Sequence, residues 1–182
     1  MVSAEREATY ARERGQDVED VPGSMVVCFS GSLFEHLVEN YPSRELRSSF
    51  YGGSVYRLTD SEPGAGVVGG FGIGAPATAM AVESLAHRGV EAVALCGYAG
   101  VLDPDIGSRD VLVATEALRD EGTSYHYVPA ARSATPPGDL TDRLAERLDD
   151  GYRTVRRGPT WTTDAPFRET RAEVERYAAE GV

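Results

Sequence analysis

Apolar residues fall in short blocks separated by glycine and proline turns, and this pattern predicts strands alternating with helices. Met25–Phe29 is continuous apolar chain and reads as a buried strand. Ser30-Gly31-Ser32 is a turn placed to cap a helix over Leu33–Asn40. Pro42 and the Gly52-Gly53 pair bracket a stretch that reads as irregular, and Val55–Leu58 alternates as a short strand. Asp60–Gly64 is a hairpin-type turn, and Val67-Val68 opens the next strand. A helix starts near Pro76, carries Met80 and Leu85 on an apolar face, and stops at Arg88-Gly89. Val90–Leu95 and Val111–Ala114 read as strands. Arg119–Pro129 reads as a polar-aromatic loop and 130–138 as a mobile, proline-rich surface segment. Leu140, Leu144 and Leu148 mark one face of a helix. Thr154-Val155 and Thr160–Thr162 are short strand candidates, and Thr170 with Glu173 forms the capping box of a last helix.

Such alternation predicts an α/β fold: a single domain over residues 24–182 with a central, mostly parallel or mixed sheet flanked by helices. Residues 1–23 alternate in charge and end at Pro22-Gly23, which predicts a polar arm, loose or folded as a short surface helix.

Charge narrows the range of partners. The formal net charge is −11, lysine is absent, and all 18 basic residues are arginine. No basic patch is available to replace the counterions of a nucleic acid or to hold an anionic membrane. Such an acid-rich, lysine-free chain fits a high-salt cytoplasm or a GC-rich genome. Cys28 and Cys96 lie in strand-like runs with no metal-ligand spacing, which predicts two buried, reduced thiols in a cytoplasmic protein. The first residues carry charge instead of an apolar leader. His36, His87 and His126 are scattered, so no metal site is expected.

Two glycine-rich turns carry the candidate chemistry. The first is Gly69–Pro76 and the second Gly97-Tyr98-Ala99-Gly100, each after a strand-like run. Adjacent parallel strands ending in such turns form a crevice where small molecules bind. Gly70–Ala75 satisfies G-x-G-x-x-A, but the next strand ends Leu95-Cys96-Gly97-Tyr98 without the carboxylate that a dinucleotide ribose requires. Tight strand-to-helix packing with no ligand is the plainest alternative.

Gly72–Pro76 with its helix, Gly97–Gly100, Ile106–Val113 and Thr162–Ala165, in this order and spacing, resemble the purine nucleoside and uridine phosphorylases and their nucleosidase relatives over residues 25–182. The resemblance implies cleavage of the N-glycosidic bond of a purine or pyrimidine nucleoside. It also implies phosphate as co-substrate, no other cofactor, and a homo-oligomer. It places Tyr98, Ala99, Gly100, His126, Pro166, Phe167 and Arg168 at the substrate, and leaves Gly31, Ser32 and Gly74 as the phosphate-binding candidates.

Departures from the family pattern matter as much. The family's phosphate arginines fall where this chain has Phe29–Leu33, Leu95 and Tyr51, the last with Arg44, Arg47 and Arg57 nearby. The family's acidic ribose motif and its catalytic acid would lie beyond Val182, so no catalytic residue is assigned, and a fragment of a longer protein is expected. A water-using nucleosidase and a non-catalytic nucleoside-binding or inactive paralogue are the two alternatives.

Overall fold

The computed structural model describes residues 3–15, 17, 20–50, 53–62 and 64–182. They form two compact units, Met1–Ala99 and Gly100–Val182.

In the first unit the elements are α1 (Ala4–Glu13), β1 (Ser24–Cys28), α2 (Gly31–Asn40), β2 (Ser43–Phe50), β3 (Gly53–Leu58), β4 (Ala65–Gly69), α3 (Ala75–Ala86) and β5 (Ala92–Cys96). The strands make one sheet in the order β2-β3-β4-β1-β5. β1 is parallel to both β4 and β5, while β2 and β3 add antiparallel strands on the far side. α2 follows β1 on the way toward β4, and α3 carries the chain from β4 across β1 to β5. Right-handed crossovers in opposite directions put these two helices on opposite faces. Residue alternation agrees. Met25 and Val27 pack with Ala81 and Leu85 of α3, Val55, Val68 and Phe71. A side chain at Gly69, in register with Cys28, would strike Phe34 of α2.

The amino-terminal segment contains a docked helix, not a loose arm. Ser3 caps α1 by accepting from the Arg6 amide at 3.2 Å. Ala8 and Ala11, three residues apart, are buried on the side that meets α3. The stretch after Pro42, expected to be irregular, is strand β2. Its sequence SRELRSSF carries no apolar alternation because it is an edge strand, paired with β3 on one side and packing Leu46 against the core.

Gly100–Val182 holds β6 (Val111–Asp120), β7 (Ser133–Ala134), α4 (Gly138–Leu148), β8 (Val155–Thr163) and α5 (Arg171–Ala179), with 3-10 turns at Ser124–His126 and Pro166–Arg168. Its sheet runs β7-β6-β8. β6 is ten residues long and absorbs the start of the expected loop, since Arg119 and Asp120 pair with Thr162 and Thr163. The two short strand candidates near the end are one strand, β8. Within the expected mobile segment, Ser133 and Ala134 pair with β6. The capping box of α5 is present, with Thr170 and Glu173 exchanging side-chain and backbone hydrogen bonds.

Candidate functional site

Cys28 is level with Gly69 on one side and with Cys96 on the other, so β4, β1 and β5 end together. Their turns leave from one edge of the sheet, but the strands before the two glycine turns, β4 and β5, are not neighbours as expected, because β1 lies between them. In the first turn Gly70, Gly72 and Gly74 have φ of 75°, 103° and 93°. A side chain strains this backbone, which is why every second residue is glycine. The alternation sends Phe71 into the core, where it meets Phe29 with ring centroids 5.6 Å apart. The Phe29 amide donates to the Cys96 carbonyl at 2.9 Å, which ties the turn after β1 to the end of β5.

Two helices begin at this edge. Ser30 caps α2, accepting from the Leu33 amide at 3.3 Å, so Gly31 and Ser32 occupy the first turn with N–H groups directed out of the helix. Gly74 caps α3 through its backbone alone, and its carbonyl accepts from the Thr78 hydroxyl at 2.9 Å. Helix starts of this kind favour anions. Gly31, Ser32 and Gly74 therefore all lie at the carboxyl edge, each at a helix start.

Tyr98 joins them from β5. The residue is 87% exposed, and its phenol is within the influence of the Ser32 and Ser30 hydroxyls, which lie 3.0 Å from each other. Hydrogen bonds from Ser32 first and Ser30 second favour the phenolate and pull the Tyr98 pKa below the ordinary tyrosine value. Ala99 is exposed beside it. Leu95, at the position of a family arginine, is 54% exposed. Arg44 and Arg57 both pair with Asp20, at 2.6 and 3.1 Å, and are committed there. Tyr51 lies outside the described residues.

The remaining expected site residues belong to the second unit. Gly100 is exposed and in no regular element, and His126 is exposed at the end of its 3-10 turn. Pro166, Phe167 and Arg168 form the other 3-10 turn. Phe167 is fully exposed, while Arg168 lines a cavity of about 450 Å³ together with Arg119, Asp120, Glu121, Trp161 and Asp164.

Arg119 organises this cavity, and the sequence reading missed it. The side chain is buried at 8% exposure. Its Nε donates to the Ser124 hydroxyl at 2.7 Å, Nη1 donates to the Pro129 carbonyl at 2.9 Å, and the guanidinium stacks 4.2 Å from the Tyr125 ring centre. The Tyr125 hydroxyl donates back to the Arg119 carbonyl at 3.1 Å. Nη2 has no partner among the described residues. Glu121 completes the loop by accepting from the amides of Thr123 and Ser124 at 2.7 and 2.9 Å and from the Ser124 hydroxyl. Burial pushes the Glu121 pKa up, but these hydrogen bonds and the Arg119 charge outweigh it, so the carboxyl is held below its usual range. The readable signal was Glu121 two and three residues ahead of amides that it can cap, in a run of small polar residues.

Among the described residues no group of three or more His, Cys, Asp or Glu could hold a metal ion, and no helix is long and apolar enough to cross a membrane.

A mixed α/β sheet with paired glycine turns at its carboxyl edge is the setting in which family membership is read. Residues 24–182 match the model of the Phosphorylase superfamily, and the chain belongs to that family. It is 37% identical over 99 residues to guanosine phosphorylase of Halorubrum lacusprofundi, covering 54% of this chain and 41% of that protein. It is 36% identical over 93 residues to uridine phosphorylase of Escherichia coli K12, covering 51% of this chain and 37% of that one. The crystal structure of uridine phosphorylase from Vibrio fischeri ES114 superposes with a TM-score of 0.80 at 25% identity, over 91% of this chain and 68% of that chain. The matched stretch thus spans less than half the length of these two sequence relatives.

Proposed function

We infer that the protein takes part in cleaving the N-glycosidic bond of a purine or pyrimidine nucleoside, transferring the ribosyl group to phosphate. The C1′–N bond breaks with its electron pair leaving on the base, an oxygen of phosphate bonds to C1′, and the base gains a proton. One observation carries this reading. The first turn of α2, with Gly31, Ser32 and the paired Ser30–Ser32 hydroxyls, opens at the carboxyl edge of three parallel strands, the edge from which Tyr98 also leaves, in a chain of the Phosphorylase superfamily. On this reading Gly31, Ser32 and Gly74 face phosphate, Tyr98, Ala99 and Gly100 border the ribose and base, His126 borders the ribose, and Pro166, Phe167 and Arg168 border the base. Pro166 has no N–H, so a main-chain donor to the base comes from Phe167 or beyond. Chemistry of this kind needs no cofactor besides phosphate, and the subunits assemble as a homo-oligomer in the cytoplasm.

Hydrolysis is the second reading, and one observation favours it. The positions where the family holds phosphate carry Phe29–Leu33 and Leu95, and Arg44 and Arg57 are paired with Asp20. Phosphate bound without a bidentate arginine loses its strongest contacts. Release of free base from a nucleoside panel, with and without phosphate, decides between the readings. Phosphate-dependent release with ribose 1-phosphate as product supports phosphorolysis, phosphate-independent release supports hydrolysis, and release under neither condition overturns both. Leu95→Arg should tighten phosphate about tenfold, roughly the 1.4 kcal/mol of a modest charge-assisted contact. Unchanged affinity in a phosphate titration would place phosphate elsewhere.

A further inference from the structure

Cys28 and Cys96 were expected as two buried, reduced thiols. Cys28 is buried at 2% exposure, but Cys96 is exposed. They are directly in register on adjacent parallel strands, so their side chains leave the same face of the sheet. The hydrogen bond from the Phe29 amide to the Cys96 carbonyl, at 2.9 Å, shows the two strands fully paired at this level. Neighbouring strands lie about 4.8 Å apart, within the roughly 4.4–6.8 Å between Cα atoms that a disulfide spans. Both thiols are free. This face of the sheet is the one α2 packs on, and it leads within two residues to Ser30 from Cys28 and to Tyr98 from Cys96.

We propose that Cys28 and Cys96 form a dithiol site for thiol–disulfide exchange at the carboxyl edge of the sheet of the first unit, with a low-molecular-weight disulfide such as oxidised glutathione as co-reactant. Cys96 is the entry point because it alone of the pair is exposed. Its thiolate attacks one sulfur of the small disulfide, forming a mixed disulfide and releasing one small thiolate. The Cys28 thiolate then attacks Cys96 Sγ, the protein disulfide forms, and the second small thiolate leaves. The two protons lost by the cysteines end on the two released thiols, so one small disulfide is reduced as one protein disulfide is made. Burial, and next the proximity of Cys96, push the Cys28 thiol up to about 11, so its thiolate is scarce near neutrality. Burial raises the Cys96 thiol as well, so both steps quicken as pH rises.

The test uses the full chain with oxidised glutathione, read by intact mass and by peptide mapping without reduction. The expected product has lost two hydrogens and yields one peptide pair joined through Cys28 and Cys96. Cys28→Ser should stop at the glutathione adduct on Cys96. Cys96→Ser should lose the crosslink and accumulate no adduct under native conditions. Circular dichroism matching the parent shows that each variant folds, and Cys28→Ala repeats the trapping experiment should the serine disturb the buried site. A native chain that still accumulates only the glutathione adduct when the pH is raised to about 10, or only chain-to-chain disulfides, would overturn the proposal, as would an adduct on Cys28 in Cys96→Ser.

Discussion

Tyr98 is the residue on which the candidate site turns, because it follows β5 at the edge where α2 begins and its titration is lowered by Ser32 and Ser30 of that helix start. The serine hydroxyls that bond to it favour the ionised phenol, so removing one must move its titration upward. Ser32→Ala should raise the midpoint of the Tyr98 absorbance change toward the ordinary tyrosine value, assigned by difference against Tyr98→Phe. A midpoint that stays in place would mean that the hydroxyl cluster does not form. If Tyr98 also borders substrate, Tyr98→Ala should weaken nucleoside binding by about tenfold, the scale of one lost neutral hydrogen bond plus ring contact. An unchanged affinity by calorimetry would move the substrate away from the carboxyl edge. Arg119 gives the opposite lesson at this scale. Nothing in its sequence neighbourhood separates it from a solvated arginine, and its burial follows from β6 continuing to Asp120 and the loop closing over it.

Among the elements, α1 stays docked through one ionic cluster. Arg88, 5% exposed in its side chain, donates to Asp17 at 2.7 Å, meets Glu7 at 3.1 Å and donates to the Ser84 carbonyl at 2.9 Å. Glu7 belongs to α1, while Arg88 lies just past the end of α3. Arg88→Met deprives Asp17, itself only 10% exposed, of its short ion pair, but Arg12 stays 3.5 Å from its other oxygen, so the cost is about 1.5–3 kcal/mol, the scale of one charged hydrogen bond. The urea midpoint should fall and trypsin should cut at Arg12 or Arg14 sooner than in the parent. An unaltered digestion pattern would show that the alanine face of α1 suffices to hold it. Which elements could be read in advance follows from how each is stabilised. β1, α3 and the glycine turns are read correctly because buried parallel strands are continuously apolar and their turns demand glycine. The capping box of α5 is readable because it is local. β2 is not, since its stability comes from pairing with β3 and its side chains carry no periodic signal. The end of β6 is not, since Arg119 and Asp120 look like loop and become strand only through Thr162 and Thr163. The docking of α1 is not, because it depends on Ser84 and Arg88, some eighty residues away. The glycine turns at the carboxyl edge were therefore readable from sequence, whereas β1 between their strands and the Arg119 cavity, built from long-range pairing, were not.

For the whole molecule, the formal charge of −11 sets a condition on stability that no single contact reveals. The ion pairs seen are mostly exposed, such as Arg143–Asp139 and Arg153–Asp150, and each contributes little. With arginine as the sole lysine or arginine-type cation and carboxylates in excess, self-repulsion opposes compaction at low salt. Raising salt shortens the screening distance from about 10 Å at 0.1 M to about 3 Å at 1 M, which weakens that repulsion more than it weakens the few short pairs. The melting temperature should therefore climb between 0.1 and 1 M sodium chloride, by roughly 3 °C for each kcal/mol of repulsion removed in a chain of this size. Replacing the exposed carboxylates Glu35, Glu39 and Glu146 with glutamine should raise the low-salt melting temperature and flatten the slope, because three charges are deleted without touching the core. A triple variant with the parent's slope would assign the salt effect to water and apolar surface, not to charge. A melting temperature that falls with salt would show that the ion pairs outweigh the repulsion.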